Sequence, residues 1–287
     1  MISSIDEIKS IGIVGAGTMG LGIAQICALN GFKTWLFDID QPMLEKAKAQ
    51  IVKNLDIGIE KGKLDQSGKE LTLSNLSLTD SLSALEVDFV IEAIVEKLDV
   101  KQKVFQELET FNDQKCILAS NTSSIPITQI AAKLKHPERF VGMHFFNPAH
   151  IMKLVEVISG ASTSAKTSEV TLKLAQKLGK IGVSAKDSPG FIVNRVARHF
   201  YVESLLALEE NVADIESIDK LMKSSGFRMG PFELMDLIGV DTNFSVTTSM
   251  FEAFHKDGKF RPSRIQQQKV DAGHHGRKSG KGFYDYS

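Results

Sequence analysis

One glycine-rich segment near the N-terminus constrains this chain more than any other feature, Gly15-Ala16-Gly17-Thr18-Met19-Gly20. It follows an apolar run and leads into an apolar stretch with helical spacing, which is the order strand, glycine turn, helix. In this order Gly15 makes the tight turn, Gly17 lets the backbone approach a pyrophosphate, and Gly20 lets the helix pack closely on the strand. The helix N-terminus offers N–H groups and a positive dipole end to phosphates. The spacing predicts a dinucleotide-binding loop that includes Thr18 and Met19; a plain βαβ turn is the alternative.

An acidic residue follows the next apolar run of the chain. Asp38 directly follows the run Thr34–Phe37, about 20 residues beyond the glycines. At this distance an acid can accept hydrogen bonds from the ribose hydroxyls of adenosine. Asp40 adds negative charge, and no arginine follows that could pair with a 2′-phosphate. We therefore predict that the cofactor is NAD and not NADP.

The composition is that of a globular protein and gives no sign of a nucleic-acid-binding or membrane protein. With 287 residues, 43% of them hydrophobic and 24% charged, the chain is long enough for two globular domains. A formal net charge of −1 gives no indication of nucleic-acid or membrane binding. Cys27 and Cys116 lie in apolar stretches and are expected to be buried, reduced thiols. The N-terminal residues lack a signal-peptide pattern, so we expect a cytoplasmic protein. We predict no metal site.

Short apolar runs alternate with helical patterns through the first two thirds of the chain. Fully apolar short strands between helices are typical of a parallel sheet that is covered on both faces. We predict strands at Ile11–Val14, Thr34–Phe37, Phe89–Ala93, Ile117–Ser120, Phe140–His144, Leu154–Ile158 and near Lys180–Ser184. We predict helices at Met43–Lys61, Val100–Phe111, Ile127–Leu134 and Ser164–Leu178.

The alternation stops at Asp187-Ser188-Pro189-Gly190, where Pro and Gly break the pattern and Asp187 or Ser188 can cap the helix that follows. Beyond this point apolar residues recur only at helical spacing. The predicted fold is an α/β Rossmann-type N-terminal domain over residues 1–187 and a smaller all-α C-terminal domain over residues 188–287. The helices expected in the second domain are Phe191–Glu210, Ile215–Ser224, Pro231–Ile238 and Asn243–Phe254.

Two polar residues in apolar runs are candidates for acid–base chemistry. His144 stands at the end of Phe140–Met143, and in an open α/β sheet the carboxyl ends of strands face the ligand crevice. An NAD enzyme that oxidises an alcohol needs a base for the hydroxyl proton, which a histidine can supply near neutral pH. Glu156 is the only acid in Leu154–Ile158, and it is interpreted as the group that orients His144. A structural histidine and an edge-strand charge are the alternatives.

Short polar side chains elsewhere are candidates for binding the reacting oxygen. Asn121-Thr122-Ser123-Ser124 follows the apolar run Ile117–Ser120, and its amide and hydroxyl groups either bond a substrate oxygen or form an ordinary turn. Asn194 interrupts the apolar start of a predicted helix, where it either faces a ligand or caps the helix. The pattern alone leaves these alternatives open.

Taken together and in order, the motifs resemble those of the L-3-hydroxyacyl-CoA dehydrogenase family. The resemblance extends over the chain and rests on Gly15–Gly20, Glu92–Glu96, Ser120–Ser124, His144–Pro148, Met152–Val157, Asp187–Arg195, Gly230–Leu234 and Gly276–Tyr284. It implies a Rossmann-type domain, a helical domain that makes a homodimer contact, and a cleft between them for an acyl-CoA.

The resemblance also implies roles for single residues. His144 would be the catalytic base and Glu156 its orienting partner, while Ser123 and Asn194 would bond the reacting oxygen. The other residues implied at the ligands are Asp38 at the adenosine ribose, Glu96 and Lys101 near the nicotinamide, Asn121 at the cofactor, Asn147 lining the site, and Lys53, Lys61 and Lys63 near the CoA phosphates.

The acyl group is the least determined part of this interpretation. Arg228 stands where many family members have proline, and Phe232–Phe254 looks more like the 3-hydroxyadipyl-CoA dehydrogenases. We expect NAD-dependent oxidation of a short (S)-3-hydroxyacyl-CoA such as 3-hydroxybutyryl-CoA, in fatty-acid or related acyl-CoA metabolism. The alternatives are 3-hydroxyadipyl-CoA, an acyl group on a carrier protein, or a crystallin-like structural protein.

Overall fold

The structure, a computed structural model, describes residues 2–287. The chain divides into two units, Met1–Ser188 and Pro189–Ser287. None of the helices within residues 2–287 combines the length and the apolar character needed to cross a membrane. Cys27 and Cys116 are buried and are free thiols.

The first unit is built on one sheet, whose strands are β1 (Ser10–Val14), β2 (Lys33–Phe37), β3 (Leu76–Thr79), β4 (Phe89–Glu92), β5 (Ile117–Ser120), β6 (Phe140–Phe145), β7 (Leu154–Ser159) and β8 (Ile181–Lys186). Their order across the sheet is β3-β2-β1-β4-β5-β6-β7-β8. The first six strands are parallel to one another, as expected.

The expectation of a wholly parallel sheet is wrong for the last two strands. β7 runs antiparallel to β6, and β8 runs parallel to β7. Residues 146–153 connect β6 to β7 without a helix. A parallel neighbour needs a crossover connection of a dozen or more residues, whereas a shorter connection permits antiparallel pairing.

Six α-helices accompany this sheet within the described residues: α1 (Thr18–Leu29), α2 (Gln41–Glu60), α3 (Gln66–Asn75), α4 (Leu98–Phe111), α5 (Ile127–Ala131) and α6 (Ala165–Lys177). The sequence patterns did not predict α3 or β3. Asp65 caps the N-terminus of α3, and its carboxylate accepts the N–H of Gly68 at 2.8 Å. It has only one fully buried residue, Thr72, so its apolar periodicity is weak.

The second unit is helical in its described residues, as expected. Its helices are α7 (Val193–Glu209), α8 (Ile215–Ser224), α9 (Pro231–Ile238), α10 (Val240–Ala253) and α11 (Arg264–Asp271). They enclose a separate core that includes Tyr201, Leu205, Phe232 and Phe283. The C-terminal segment is held to α9 by Asp236, whose carboxylate accepts the N–H groups of Phe283 and Tyr284, each at 2.9 Å.

The capping prediction for Asp187 is wrong in its target. Its carboxylate accepts the N–H groups of Ile127 at 2.9 Å and Thr128 at 2.7 Å, and so caps α5. The residue before α7 is Ile192, which makes no side-chain capping bond. An acid can cap any helix N-terminus that the fold brings close to it, and sequence order does not show which one that is.

Strand order places the predicted site at the carboxyl ends of the strands, which we call the carboxyl edge of the sheet. The chain moves outward from β1 to β2 and β3, and then returns to the other side of β1 with β4. The carboxyl ends of β1 and β4 therefore form the switch point where open α/β sheets bind their ligands.

Candidate active site

The loop after β1 has the backbone that a dinucleotide needs. Gly15 has φ +105, and a Cβ there would lie 2.7 Å from the carbonyl oxygen of Ala93. A Cβ on Gly20 would lie 1.7 Å from the carbonyl oxygen of Gly15, so only glycine lets α1 approach the turn. A Cβ on Gly17, by contrast, would meet nothing within 4 Å. The open side of this loop is therefore at Gly17, as a bound pyrophosphate requires.

The start of α1 can bind the cofactor's phosphates. The helix begins at Thr18, and Gly17 precedes it without any side-chain cap from the described chain. Thr18 is exposed and Met19 is half-buried. The first N–H groups of the helix can therefore bind phosphate oxygens.

Asp38 lies at the end of β2, beside this loop. One carboxylate oxygen accepts the N–H of Ala16 at 2.8 Å, and the other accepts the N–H of Asp40 at 3.1 Å. These bonds fix the carboxylate and leave each oxygen with further accepting capacity. The ribose hydroxyls of NAD could donate to these oxygens.

Glu96 organises the segment after β5. One of its oxygens accepts the hydroxyl of Thr122 at 2.6 Å and the backbone N–H groups of Ser123 at 3.0 Å and Ser124 at 3.1 Å. Burial acts to raise the pKa of Glu96, but Lys101 and the hydroxyl donors outweigh it and hold that pKa below its ordinary value. The other oxygen lies 3.2 Å from Nζ of Lys101. The loop that carries Ser123 is thus fixed by an anion.

Glu92, at the end of β4, is a further polar residue of this site, with no role predicted from the sequence. Its side chain is fully buried and lies 2.5 Å from Nζ of Lys101. Ser120 donates its hydroxyl to the second carboxylate oxygen at 2.6 Å. The signal in the sequence was an acid that ends the apolar run Phe89–Ile91, the same kind of signal that drew attention to Glu156.

His144 and Glu156 meet as predicted. They are directly opposite each other on the antiparallel strands β6 and β7, and Nδ1 lies 2.8 Å from a carboxylate oxygen of Glu156. A carboxylate only accepts, so Nδ1 carries the proton and Nε2 is the basic nitrogen. β7 lies between β6 and β8, so the interpretation of Glu156 as an edge-strand charge is wrong.

The remaining polar residues of this edge differ in exposure. Asn121 is half-buried, and its side-chain oxygen accepts the N–H of Phe145 at 2.8 Å, which ties β5 to β6 near His144. Ser123 is half-buried, and Asn147, in the loop after β6, is exposed.

Four further predicted ligand residues are described by their exposure. Lys53 on α2 and Lys61 just after it are exposed, and no ion pair ties them to the described residues. Arg228 is exposed between α8 and α9. Asn194 is half-buried on the first turn of α7. No group of three or more His, Cys, Asp or Glu in the described part of the chain could hold a metal ion.

Comparison with known proteins decides the family. The family model "3-hydroxyacyl-CoA dehydrogenase, NAD binding domain" matches residues 10–188, and the model of the C-terminal domain of the same enzymes matches residues 190–286. The chain belongs to the 3-hydroxyacyl-CoA dehydrogenase family. The predictions of this family, of NAD as the cofactor, and of a Rossmann-type domain followed by a helical domain are confirmed.

Several members of the 3-hydroxyacyl-CoA dehydrogenase family are similar over the whole chain. The 3-hydroxyadipyl-CoA dehydrogenase of Escherichia coli K12 is 46% identical over 98% of this chain, which spans only 59% of that relative's length. A probable 3-hydroxybutyryl-CoA dehydrogenase of Bacillus subtilis is 42% identical over 98% of both chains. The crystal structure of (S)-3-hydroxybutyryl-CoA dehydrogenase from Ralstonia eutropha superposes with a TM-score of 0.94 at 41% identity, covering 98% of this chain and 100% of that one.

Proposed function

We propose that this chain catalyses the reversible, NAD-dependent oxidation of an (S)-3-hydroxyacyl-CoA to the 3-oxoacyl-CoA. The single observation that carries the proposal is the buried contact of 2.8 Å between His144 and Glu156, on the strand end where a base is needed. Bound NAD supplies the hydride acceptor. The family match supports this reaction. Fatty-acid or related acyl-CoA metabolism is the pathway class that we propose for it.

In this proposal Nε2 of His144 accepts the proton of the substrate hydroxyl, while a hydride passes to NAD from the carbon that bears this hydroxyl. Glu156 keeps the proton on Nδ1 and stabilises the imidazolium that forms. The hydroxyl of Ser123 donates to the reacting oxygen, and its backbone is held in place by Glu96. Asn194 is proposed as a second donor to that oxygen, and Asn147 as a further contact of the acyl group.

The proposed substrate is a short, neutral acyl group such as 3-hydroxybutyryl, because a relative that matches over 98% of both chains is named a probable 3-hydroxybutyryl-CoA dehydrogenase. Lys53 and Lys61 are proposed to meet the phosphates of CoA, since both side chains are exposed on or just after α2. The cytoplasmic location predicted from the sequence stays a prediction.

A second candidate substrate is 3-hydroxyadipyl-CoA. The observation that favours it is the 46% identity to a 3-hydroxyadipyl-CoA dehydrogenase, together with the exposed guanidinium of Arg228. A guanidinium can form a bidentate pair with a distal carboxylate, which an adipyl group has and a butyryl group lacks.

The deciding experiment follows NADH absorbance with the full chain and a panel of acetoacetyl-CoA, longer 3-oxoacyl-CoA and 3-oxoadipyl-CoA. If Arg228 binds the distal carboxylate, Arg228→Ala should lower kcat/KM for 3-oxoadipyl-CoA by a factor that corresponds to roughly 1.5–3 kcal/mol of lost binding free energy. Arg261→Ala, another exposed arginine of the second unit, is the matched control. If kcat/KM falls equally with acetoacetyl-CoA, or falls with neither substrate, Arg228 does not bind the carboxylate, and a short neutral acyl group remains the proposed substrate.

Two further outcomes distinguish the remaining alternatives. If NADH is oxidised only with a thioester on a carrier protein, the acyl group of the natural substrate is bound to a carrier protein and not to CoA. An absence of NADH oxidation with every thioester, while NADH still binds, would favour the crystallin-like structural protein.

A further inference from the structure

Lys101 links two carboxylates at the carboxyl end of the sheet. Its side chain, on α4, is 1% exposed, and its Nζ lies 2.5 Å from Glu92 and 3.2 Å from Glu96. Lys101 is the cation that acts on both of these carboxylates. One ammonium between two carboxylates leaves a single net negative charge, and we call these three residues the acidic triad.

Three donors surround the carboxylate of Glu92 and stabilise its ionised form. One oxygen receives Nζ of Lys101 and the backbone N–H of Ile94 at 2.7 Å, and neither donor can accept a proton in return. Ser120 donates to the other oxygen while its own oxygen accepts the N–H of Thr122 at 3.2 Å. Burial raises the pKa of Glu92 above its ordinary value, and Lys101 and the other donors offset only part of that rise, so the ionised form depends on this set of donors.

Strand order places the acidic triad on the nicotinamide side of the cofactor. Asp38, at the end of β2, marks the adenosine half of a dinucleotide that lies across the switch point between β1 and β4. Glu92 ends β4, on the other side of that point, and Glu96 holds the loop after β5. β6, which carries His144, lies next to β5.

From this placement we infer that the acidic triad is an electrostatic device that favours NAD⁺ over NADH, with Glu92 as its buried positioning residue. The inference rests on the proposed function. The two forms of the cofactor differ by one positive charge on the nicotinamide ring, and a fixed negative charge in a site of low polarity acts on that difference. Glu92 also holds Lys101, and so keeps the ammonium from neutralising Glu96 alone.

The test measures dissociation constants, not turnover. Glu92→Gln keeps the shape of the side chain and removes its charge. We expect the Kd of NAD⁺ to rise about tenfold relative to that of NADH, the size of effect that one unit charge produces over roughly 12 Å at an effective dielectric constant of about 20. Calorimetric titration gives the Kd of NAD⁺ and fluorescence titration gives that of NADH, both with the folded full chain.

Glu109→Gln is the matched control. Glu109 is also a buried carboxylate of the first unit, and it pairs with Arg139 at 3.4 Å. Its substitution should lower Tm without changing the ratio of the two dissociation constants. If Glu92→Gln does not fold, Glu96→Gln is measured in its place. Glu96 is 36% exposed, so its substitution disturbs the core less, and it removes one charge from the same triad.

The outcomes are distinct. A selective rise in the Kd of NAD⁺ supports the inference. An unchanged ratio would show that Glu92 is neutral in the wild-type protein and would overturn it, as would equal weakening of both forms. Failure of the proposed function would appear differently, as a wild-type protein that binds both cofactor forms but does not oxidise NADH with any 3-oxoacyl thioester.

Discussion

His144 is the single residue on which the proposed reaction depends most. His144→Gln should lower kcat by about a hundredfold or more, because no other group replaces the base, while the Kd of NADH stays unchanged. Glu156→Gln should also be strongly impaired, because the carboxylate 2.8 Å from Nδ1 no longer stabilises the imidazolium. Stopped-flow turnover and NADH fluorescence titration measure the two quantities. Near-native turnover in either variant would contradict the assignment of this pair.

Gly17 allows the cofactor's binding to be separated from folding. Gly17→Ala should leave Tm unchanged, since the new Cβ meets no atom within 4 Å, and should raise the Kd of NADH about tenfold, because that space is where the pyrophosphate approaches. Gly20→Ala is the contrasting variant. Its Cβ would overlap the carbonyl oxygen of Gly15, so it should destabilise the protein by roughly 1–3 kcal/mol. Equal effects of both variants on Tm would contradict this difference.

Asp38 should decide the choice between NAD and NADP. Its carboxylate is fixed beside the glycine loop by the N–H of Ala16, and a 2′-phosphate there would meet like charge. We expect kcat/KM with NAD to exceed that with NADP by at least about tenfold, measured with the same thioester. A preference for NADP would contradict the role given to Asp38.

At the scale of elements, α5 is held at its N-terminus by a residue from the end of β8. Asp187→Ala should lower the free energy of unfolding by about 0.5–2 kcal/mol, the usual cost of a lost cap, because the N–H groups of Ile127 and Thr128 lose their acceptor. Asp40→Ala is the control, since Asp40 precedes α2 without a side-chain capping bond. Urea denaturation measures both variants, and equal losses would show that the cap contributes nothing.

The elements themselves differed in how far their sequence predicted them. Apolar runs that fill buried central strands, such as Ile117–Ser120, were predicted with their observed bounds. β3, with the sequence Leu-Ser-Leu-Thr and no buried residue, has the weak pattern of an edge strand and was not predicted. The direction of β7 also could not be read from its composition, because an apolar strand buried on both faces suits either pairing.

For the whole molecule, we predict a homodimer that forms through the helical unit. Val196 on α7 is 71% exposed and Leu206 is 38% exposed, so this helix has apolar surface beyond its buried face. Light scattering of the full chain should give twice the mass of 31.5 kDa, and Val196→Glu should shift the mass toward that of the monomer. Leu71→Glu, on an exposed leucine of the first unit, is the control and should leave the mass unchanged. A wild-type monomer would contradict the prediction.

The sequence by itself determined the parts of this protein whose signal is local. The glycine spacing, the acid after β2 and the fully apolar strands each follow from the backbone and burial needs of a few consecutive residues, and they were sufficient for the cofactor and the fold class. Lone polar residues in apolar runs marked His144 and Glu156, because a buried charge needs a partner.

Only the tertiary structure decided which distant groups meet. Strand pairing brings His144 opposite Glu156, and the β4–β5 register brings Glu92 beside Ser120, although 28 residues separate the latter pair along the chain. The fold also directs Asp187 back to α5. Such contacts depend on strand order and direction, which are set by connection lengths and by the burial of the whole sheet, and no window of neighbouring residues contains that information.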